Sequence, residues 1–283
     1  MALPEIVHLK GTEVFFPIVA LQQAMAGTEE PATTTTWAFS GANARVVFTG
    51  DFAVLNGVVQ SGTATEFAVY KGAVKVMSGT GFSLSATQIL NAADGAKEQQ
   101  SGGYLKFYGT FFGDVREVGS GDTDHMYGST RSGKFLGKGG DDFLYGGPGK
   151  EVMRGGEGND WVEGRGKADK LFGNRGDDTF AFTSAQGFGP DGVDIIKDFA
   201  VKHDTIFLDA GLFSALVPGP LAKAAFHIGG KAKTGDQHVI YKAGTGGLFY
   251  DEDGSGGAKK VQIAELDPGL KLKAHHFDVD FVA

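Results

Sequence analysis

The sequence predicts an all-β protein: a β-rich N-terminal module, a central parallel β-roll, and a β-rich C-terminal cap. Three observations carry this. Apolar residues recur at every ninth position through the middle of the chain, from Met126 to Phe180. The 283 residues include 46 glycines and no cysteine. Outside the periodic stretch, short runs of β-branched and aromatic residues are separated by Gly and Asn at turn-like intervals.

The order of these features divides the chain into residues 1–117, 118–200 and 201–283. In the first segment, Ala44 to Phe48, Phe67 to Tyr70 and Ala73 to Val76 read as strands. Tyr104 to Phe112 reads as another. Helices are expected over Ser85–Ala93, with Ser85 as cap and Ile89 inward, and over Ile18–Ala26. The apolar stretch Val14–Leu21 is broken by Pro17 and is too short to span a membrane. Ala24-Met25-Ala26 has the small residues of a cleavage site, but the segment before it lacks the basic start of a leader. It reads as a buried part of the mature fold.

Charge narrows the partners. The formal net charge is -8, with a pI near 5.4. That argues against nucleic acid and anionic membranes and favours a cation. The missing cysteines exclude disulfides, thiolate metal sites and a Cys nucleophile.

The repeat is the decisive element. Its apolar row is Met126, Phe135, Leu144, Met153, Val162, Leu171 and Phe180. Two residues before each stands a second row: Asp124, Gly133, Asp142, Glu151, Asp160, Asp169 and Asp178. Period nine fits no helix, and the glycine density would dissolve one. Six residues of turn followed by three of strand fit, with the middle strand residue inward. Two nonads then close one coil, and residues eighteen apart stack.

Stacking sorts the acids into two columns. One carries Asp124, Asp142, Asp160 and Asp178; the other carries Gly133, Glu151 and Asp169. Carboxylates roughly 5 Å apart, the spacing of paired strands, repel strongly without a cation. Ca²⁺ takes six to eight oxygens, and glycine turns expose carbonyls that supply the remainder. Candidate turn ligands are Gly139, Gly147, Gly149, Gly156, Gly158, Gly166 and Gly176. The expectation is about three to four ions: up to three along the aspartate column, and one between Glu151 and Asp169.

Gly155-Gly156-Glu157-Gly158-Asn159-Asp160-Trp161-Val162-Glu163 resembles the nonapeptide of RTX, or hemolysin-type, calcium-binding repeat proteins. Gly139 to Leu144 and Gly176 to Phe180 are similar to its core; Gly119 to Gly133 departs from it. Beyond the repeat, the chain resembles the C-terminal parts of serralysin-type RTX proteins. Asp194-Ile195-Ile196-Lys197-Asp198-Phe199, then Asp204-Thr205-Ile206, looks like the segment that closes the roll, and adds Asp198 to the candidate ligands. Phe226 to Gly229, Val239 to Tyr241 and Leu248 to Gly256 look like the cap. The resemblance implies a secreted, extracellular protein exported from a Gram-negative-type bacterium by a type I secretion apparatus. Its uncleaved signal would lie in the last several dozen residues, and Asp280 to Ala283 suits it.

Gly128 to Lys134 nearly spells a phosphate-binding loop, but Phe135 stands in place of Ser or Thr and the nonads continue in phase. Asp251, Asp253, Ser255 and Gly256 match the start of an EF-hand, yet Gln262 replaces the closing Glu and no flanking helix is evident. An acidic hairpin is expected there, with a calcium-stiffened turn as the alternative. His275-His276 reads as a solvated pair. No His-Glu-x-x-His and no Gly-x-Ser-x-Gly occurs, so protease and lipase chemistry are not expected. The leading reading is a non-enzymatic extracellular binding or adhesion protein, with a polysaccharide as the partner of its N-terminal module. A polysaccharide-active enzyme with its site in that module, and a small toxin acting on membranes, stay open.

Overall fold

A computed structural model describes residues 116–128, 132–183 and 192–281. Before these it describes 5–8, 28–29, 32–33, 36–40, 45–55, 58–71, 74–85 and Ile89. The regular elements of the described chain are nearly all strands, and it divides into two compact units, Met1–Leu136 and Gly137–Ala283. Val14–Leu21, Ala24–Ala26, most of the expected helix at 85–93 and the strand at 104–112 lie outside the described residues. Among the described residues no helix is long and apolar enough to cross a membrane.

In the first unit the strands are β1 (Glu5–His8), β2 (Thr28–Glu29), β3 (Thr36–Ser40), β4 (Arg45–Leu55), β5 (Val58–Lys71), β6 (Val74–Ser85), β7 (Arg116–Val118) and β8 (His125–Tyr127). β2 to β6 form an antiparallel meander. β1 lies antiparallel to β6 and parallel to β7. Alternation places Val46, Phe48, Phe52, Phe67 and Val69 inside, while Thr49, Asp51, Ser61 and Glu66 face out. The three expected strands at 44–48, 67–70 and 73–76 overlap β4, β5 and β6. The strands are longer than these runs suggested, and the β4–β5 pairing continues through register shifts at Thr49/Gly50 and Ala53/Val54. A Cβ on Gly50 would lie 2.1 Å from the Thr63 carbonyl oxygen, so only glycine lets the two backbones come this close.

The second unit is the roll and its cap. On one face β11 (Glu151–Glu157), β13 (Lys170–Arg175) and β15 (Asp194–Ile196) run parallel. On the other, β10 (Phe143–Tyr145), β12 (Trp161–Glu163), β14 (Thr179–Phe182) and β16 (Thr205–Asp209) do the same. Leu144 pairs with Val162 and Met153 with Leu171, the eighteen-residue stacking expected from the nonads. β9 (Gly133–Gly139) spans the boundary between the units. All seven residues of the apolar row are buried, five of them at 0% exposure within the second unit. The Trp161 ring packs 5.1 Å from Phe207, two coils on.

The cap is wound into the roll. β21 (Val261–Glu265) adds parallel to β15, and β22 (Phe277–Asp280) adds parallel to β16. Each open sheet edge is thereby covered. β17 (Gly219–Pro220) borders β22, while β18 (Phe226–Ile228), β19 (Val239–Lys242) and β20 (Gly247–Tyr250) extend the first sheet beyond β21. The histidine pair is not solvated as a pair. His276 is buried, takes the Lys273 N–H on Nδ1 at 2.8 Å, and therefore donates from Nε2 to the Val201 carbonyl at 2.9 Å. Closing the roll needs a donor there, which exposure-based reading of two adjacent polar residues could not show.

Candidate metal centre

Two ladders of carboxylates run along the turns of the roll. In the first, the Asp142 N–H donates to Asp160 Oδ1 at 2.9 Å, the Asp160 N–H to Asp178 Oδ1 at 3.0 Å, and the Asp178 N–H to Asp204 Oδ1 at 3.2 Å. In the second, the Glu151 N–H donates to Asp169 Oδ1 at 2.7 Å and the Asp169 N–H to Asp194 Oδ1 at 3.0 Å. Each rung thus fixes the carboxylate of the next coil through one oxygen.

The other oxygens are the informative ones. Asp160 Oδ2, Asp178 Oδ2, Asp169 Oδ2 and Glu151 Oε1 are buried without any protein hydrogen-bond partner. A buried carboxylate oxygen left unsatisfied costs several kcal/mol when charged, on the order given for desolvated polar groups. Burial accordingly pushes Asp160 and Asp169 up to about 7 and Glu151 up to about 9, the last also through the Asp169 charge. Asp178, Asp194, Asp198 and Asp204 are raised for the same first reason, desolvation.

Glycine makes the cradle. A Cβ on Gly155 would lie 2.0 Å from Asp160 Oδ2, one on Gly173 2.2 Å from Asp178 Oδ2, and one on Gly137 2.2 Å from Asp142 Oδ2. On the other side a Cβ on Gly164 would meet Asp194 Oδ2 at 2.5 Å and Asp169 Oδ2 at 2.7 Å. Gly156 and Gly158 have positive φ and admit the Lys138 and Gly140 carbonyl oxygens, which a Cβ would approach to 2.2 and 2.3 Å. Gly166 and Gly176 do the same for the carbonyls of Gly147 and Gly158. Oxygen-only donors, a paired carboxylate in each gap and carbonyls in the turns suit a hard cation of the Ca²⁺ type.

Not every candidate stands in this arrangement. The Asp124 carboxylate already accepts the Ser120 N–H at 2.6 Å and the Ser120 hydroxyl at 3.0 Å, both on Oδ2. Asp198 spends one oxygen on the Gly173 N–H and the other on the Asn174 N–H. The Gly149 carbonyl receives the Lys167 N–H just as the Gly147 carbonyl receives the Gly166 N–H, and each keeps a second lone pair. Gly139 has space: a Cβ there would make only ordinary contact, at 3.6 Å from the Glu157 carbonyl.

Asp194 and Asp204 are ladder members that the spacing argument passed over. They lie 25 and 26 residues beyond Asp169 and Asp178 rather than eighteen. A signal was present, since each stands two residues before an inward apolar residue, Ile196 and Ile206, in the phase of the nonads. With Asp194 included, the second column holds three carboxylates, longer than the Glu151–Asp169 pair expected.

Across the whole chain, no curated protein matches this sequence. Within it, residues 127–162 and 154–183 match the family of the RTX calcium-binding nonapeptide repeat (4 copies). The ladders and the match fall on the same turns, and residues 127–183 of this protein are RTX calcium-binding repeats.

Proposed function

We propose that this is a secreted RTX protein whose roll, at neutral to mildly alkaline pH, folds when calcium fills its two ladders, and whose N-terminal module binds an extracellular polysaccharide without catalysis. The observation that carries the calcium-gated part is the set of buried carboxylate oxygens with no protein partner at Asp160, Asp178, Asp169 and Glu151. Four gaps between coils would each hold one ion: Asp142/Asp160, Asp160/Asp178, Glu151/Asp169 and Asp169/Asp194. The Asp178/Asp204 gap is left out because Asp204 Oδ2 already accepts the Ala200 N–H at 2.7 Å. Carbonyls from the turns at Gly139, Gly147, Gly149, Gly156, Gly158, Gly166 and Gly176 complete the donor set.

The consequence is a fold tied to compartment. Sites of extracellular-module affinity, roughly 10⁻⁴ to 10⁻³ M, stay empty at cytosolic calcium and fill outside the cell. Empty, the ladders set like charges side by side and leave glycine-rich turns without compensation for their entropy. Filled at ten times Kd, each ion contributes about 1.4 kcal/mol. An unfolded chain is also what a type I secretion apparatus could export. Binding of polysaccharide is supported by the outward row of short polar side chains on β4 and β5, among them Thr49, Asp51, Ser61, Thr65 and Glu66.

Calcium added to chelator-treated protein and followed by far-UV circular dichroism tests the gating. A coil-to-β transition near millimolar calcium is expected, shifted to higher calcium in an Asp142→Ala, Asp160→Ala variant. A β spectrum indifferent to calcium in both proteins would end the export-and-fold reading. For the module, retention of the calcium-loaded full chain on polysaccharide columns is expected; passage through all of them, uronate-containing and neutral, removes that partner.

A further inference from the structure

The turn between β20 and β21 carries Asp251-Glu252-Asp253-Gly254-Ser255-Gly256, and it is more than an acidic hairpin. Asp251 is only 5% exposed, and its Oδ1 is buried with no hydrogen-bond partner. The backbone of the residue is fixed on both sides. Its N–H donates to the His238 carbonyl at 2.8 Å, and its own carbonyl meets His238 Nδ1 at 2.9 Å. As in the ladders, a buried carboxylate keeps one unsatisfied oxygen, here on a backbone held at both its N–H and its carbonyl, but it lies on a different element and belongs to no nonad.

The surroundings supply oxygen. The Asp253 carboxylate lies within hydrogen-bonding range of that of Asp251, two acceptors facing one another. It is folded back over Gly256, where a Cβ would lie 2.0 Å from Asp253 Oδ2, and is held by the Ala258 N–H at 2.9 Å. Asp251 and Ser255 both line an open cavity of about 670 Å³. The spacing Asp-x-Asp-x-Ser-Gly sets three side-chain oxygens at alternate positions of a tight turn, and glycine in the sixth place allows that turn. Gly254, at φ +63°, permits the Thr234 and Gly235 carbonyls to close over the loop, where its Cβ would come within 2.7 and 2.4 Å of them.

We propose that Asp251, Asp253 and Ser255 form a calcium site of their own in the C-terminal cap, independent of the ladders. The donors are oxygens, and the one imidazole nearby is engaged with backbone, which disfavours zinc. Lys231, Lys233 and Lys259 line the same cavity with exposed side chains. Lys260 directs its ammonium to the Gly230 carbonyl and lies 4.7 Å over the Phe249 ring. These cations weaken the site relative to the ladders and place it at the millimolar end of the range.

Equilibrium dialysis of the full chain with radioactive calcium, at saturating concentration, counts the ions. The Asp251→Asn, Asp253→Asn double variant is expected to bind one ion fewer than the parent, with the calcium midpoint of the far-UV transition unchanged. An equal count in variant and parent overturns the proposal. If the double variant shows no far-UV transition, Gly256→Ala takes its place, since it displaces the Asp253 carboxylate without changing charge; it too must lose one ion, and a full count in it is equally fatal. The unchanged midpoint separates this site from the gating of the roll: loss of the transition in the parent would sink the gating and leave the ion count of the cap to be read by itself.

Discussion

At the scale of single residues, glycines that look alike in sequence are not alike in role. Gly139 and Gly155 both sit in glycine pairs of the repeat. A Cβ on Gly155 would strike Asp160 at Oδ2, Cγ and Cβ, at 2.0, 2.5 and 2.8 Å, whereas one on Gly139 meets nothing closer than 3.6 Å. Asp160 cannot yield without losing the Asp142 N–H bond that fixes it. Gly155→Ala is therefore expected to cost about 1–3 kcal/mol, the price of an unsatisfied buried group, and to raise the calcium midpoint. Gly139→Ala is expected to stay within about 0.5 kcal/mol of the parent. Paired calcium titrations of the two variants check this, and equal effects would mean that the cradle does not position Asp160. The same position also explains a strain. Lys138, Arg165 and Asn174 have φ of 79°, 68° and 72°, and they stand where Gly156 stands in its own turn. Positive φ recurs at this nonad position in four of the five turns, Gly147 excepted: at +138° in Gly156 and in the left-handed region in the three L residues, which carry the strain that glycine would relieve.

At the scale of the element, each ladder is a proton trap as well as a cation trap. Asp160 and Asp169 are raised to about 7 and Glu151 to about 9, all from ordinary values near 4, with desolvation as the first cause. A folded-state value above the unfolded one means that the folded, calcium-free ladder binds more protons. The stability this provides is full below the unfolded values and is lost as pH rises through about 7 and then about 9. Calcium-free protein is thus expected to carry more β structure at about pH 6 than at about pH 8.5, while its calcium affinity moves the opposite way, since protons compete for the same oxygens. Far-UV spectra in calcium-free buffer at the two values decide it, with pH 6 chosen to stay above the pI near 5.4. Identical coil spectra would show that burial of the ladder requires the metal. The ladder was legible in sequence wherever the nonad is strict: Asp142, Asp160, Asp178, Glu151 and Asp169 are all where the period places them. Asp194 and Asp204 were not, because residues 184–193 interrupt the count of eighteen while preserving the phase of acid and apolar residue. Nor could spacing separate Asp198, both of whose oxygens accept nearby N–H groups, and Asp124, whose Oδ2 takes two donors from Ser120, from Asp160, Asp169 and Asp178, each of which keeps one oxygen unmet.

At the scale of the whole molecule, the second unit is a solenoid that cannot be completed from its own repeats. β15 pairs with β21, and β16 with β22, strands that come from the far end of the chain. The Ala210 N–H donates to the Asp280 carbonyl at 2.8 Å and the Leu221 N–H to the Phe277 carbonyl at 3.1 Å, binding the connection to the same last strand. Phe277 and Val279 are buried, at 2% and 0% exposure. A nearest-neighbour array would tolerate losing its end, because each repeat needs only the next one. Here the end covers both sheets at once, and its removal exposes two edges and the apolar floor around Ile196 and Ile206. Deleting residues 261–283 is expected to raise the calcium midpoint at least several-fold and to broaden the transition, as calcium is asked to supply what β21 and β22 supplied. The measurement is the same calcium titration by circular dichroism, on full and truncated chains side by side. An unchanged midpoint would show that the nonads between Gly137 and Phe182 fold on their own and that the cap serves another purpose. A raised one would make folding wait until residues 261–283 are synthesised, so that the order in which the chain is made, together with calcium, holds the roll open until these strands are available.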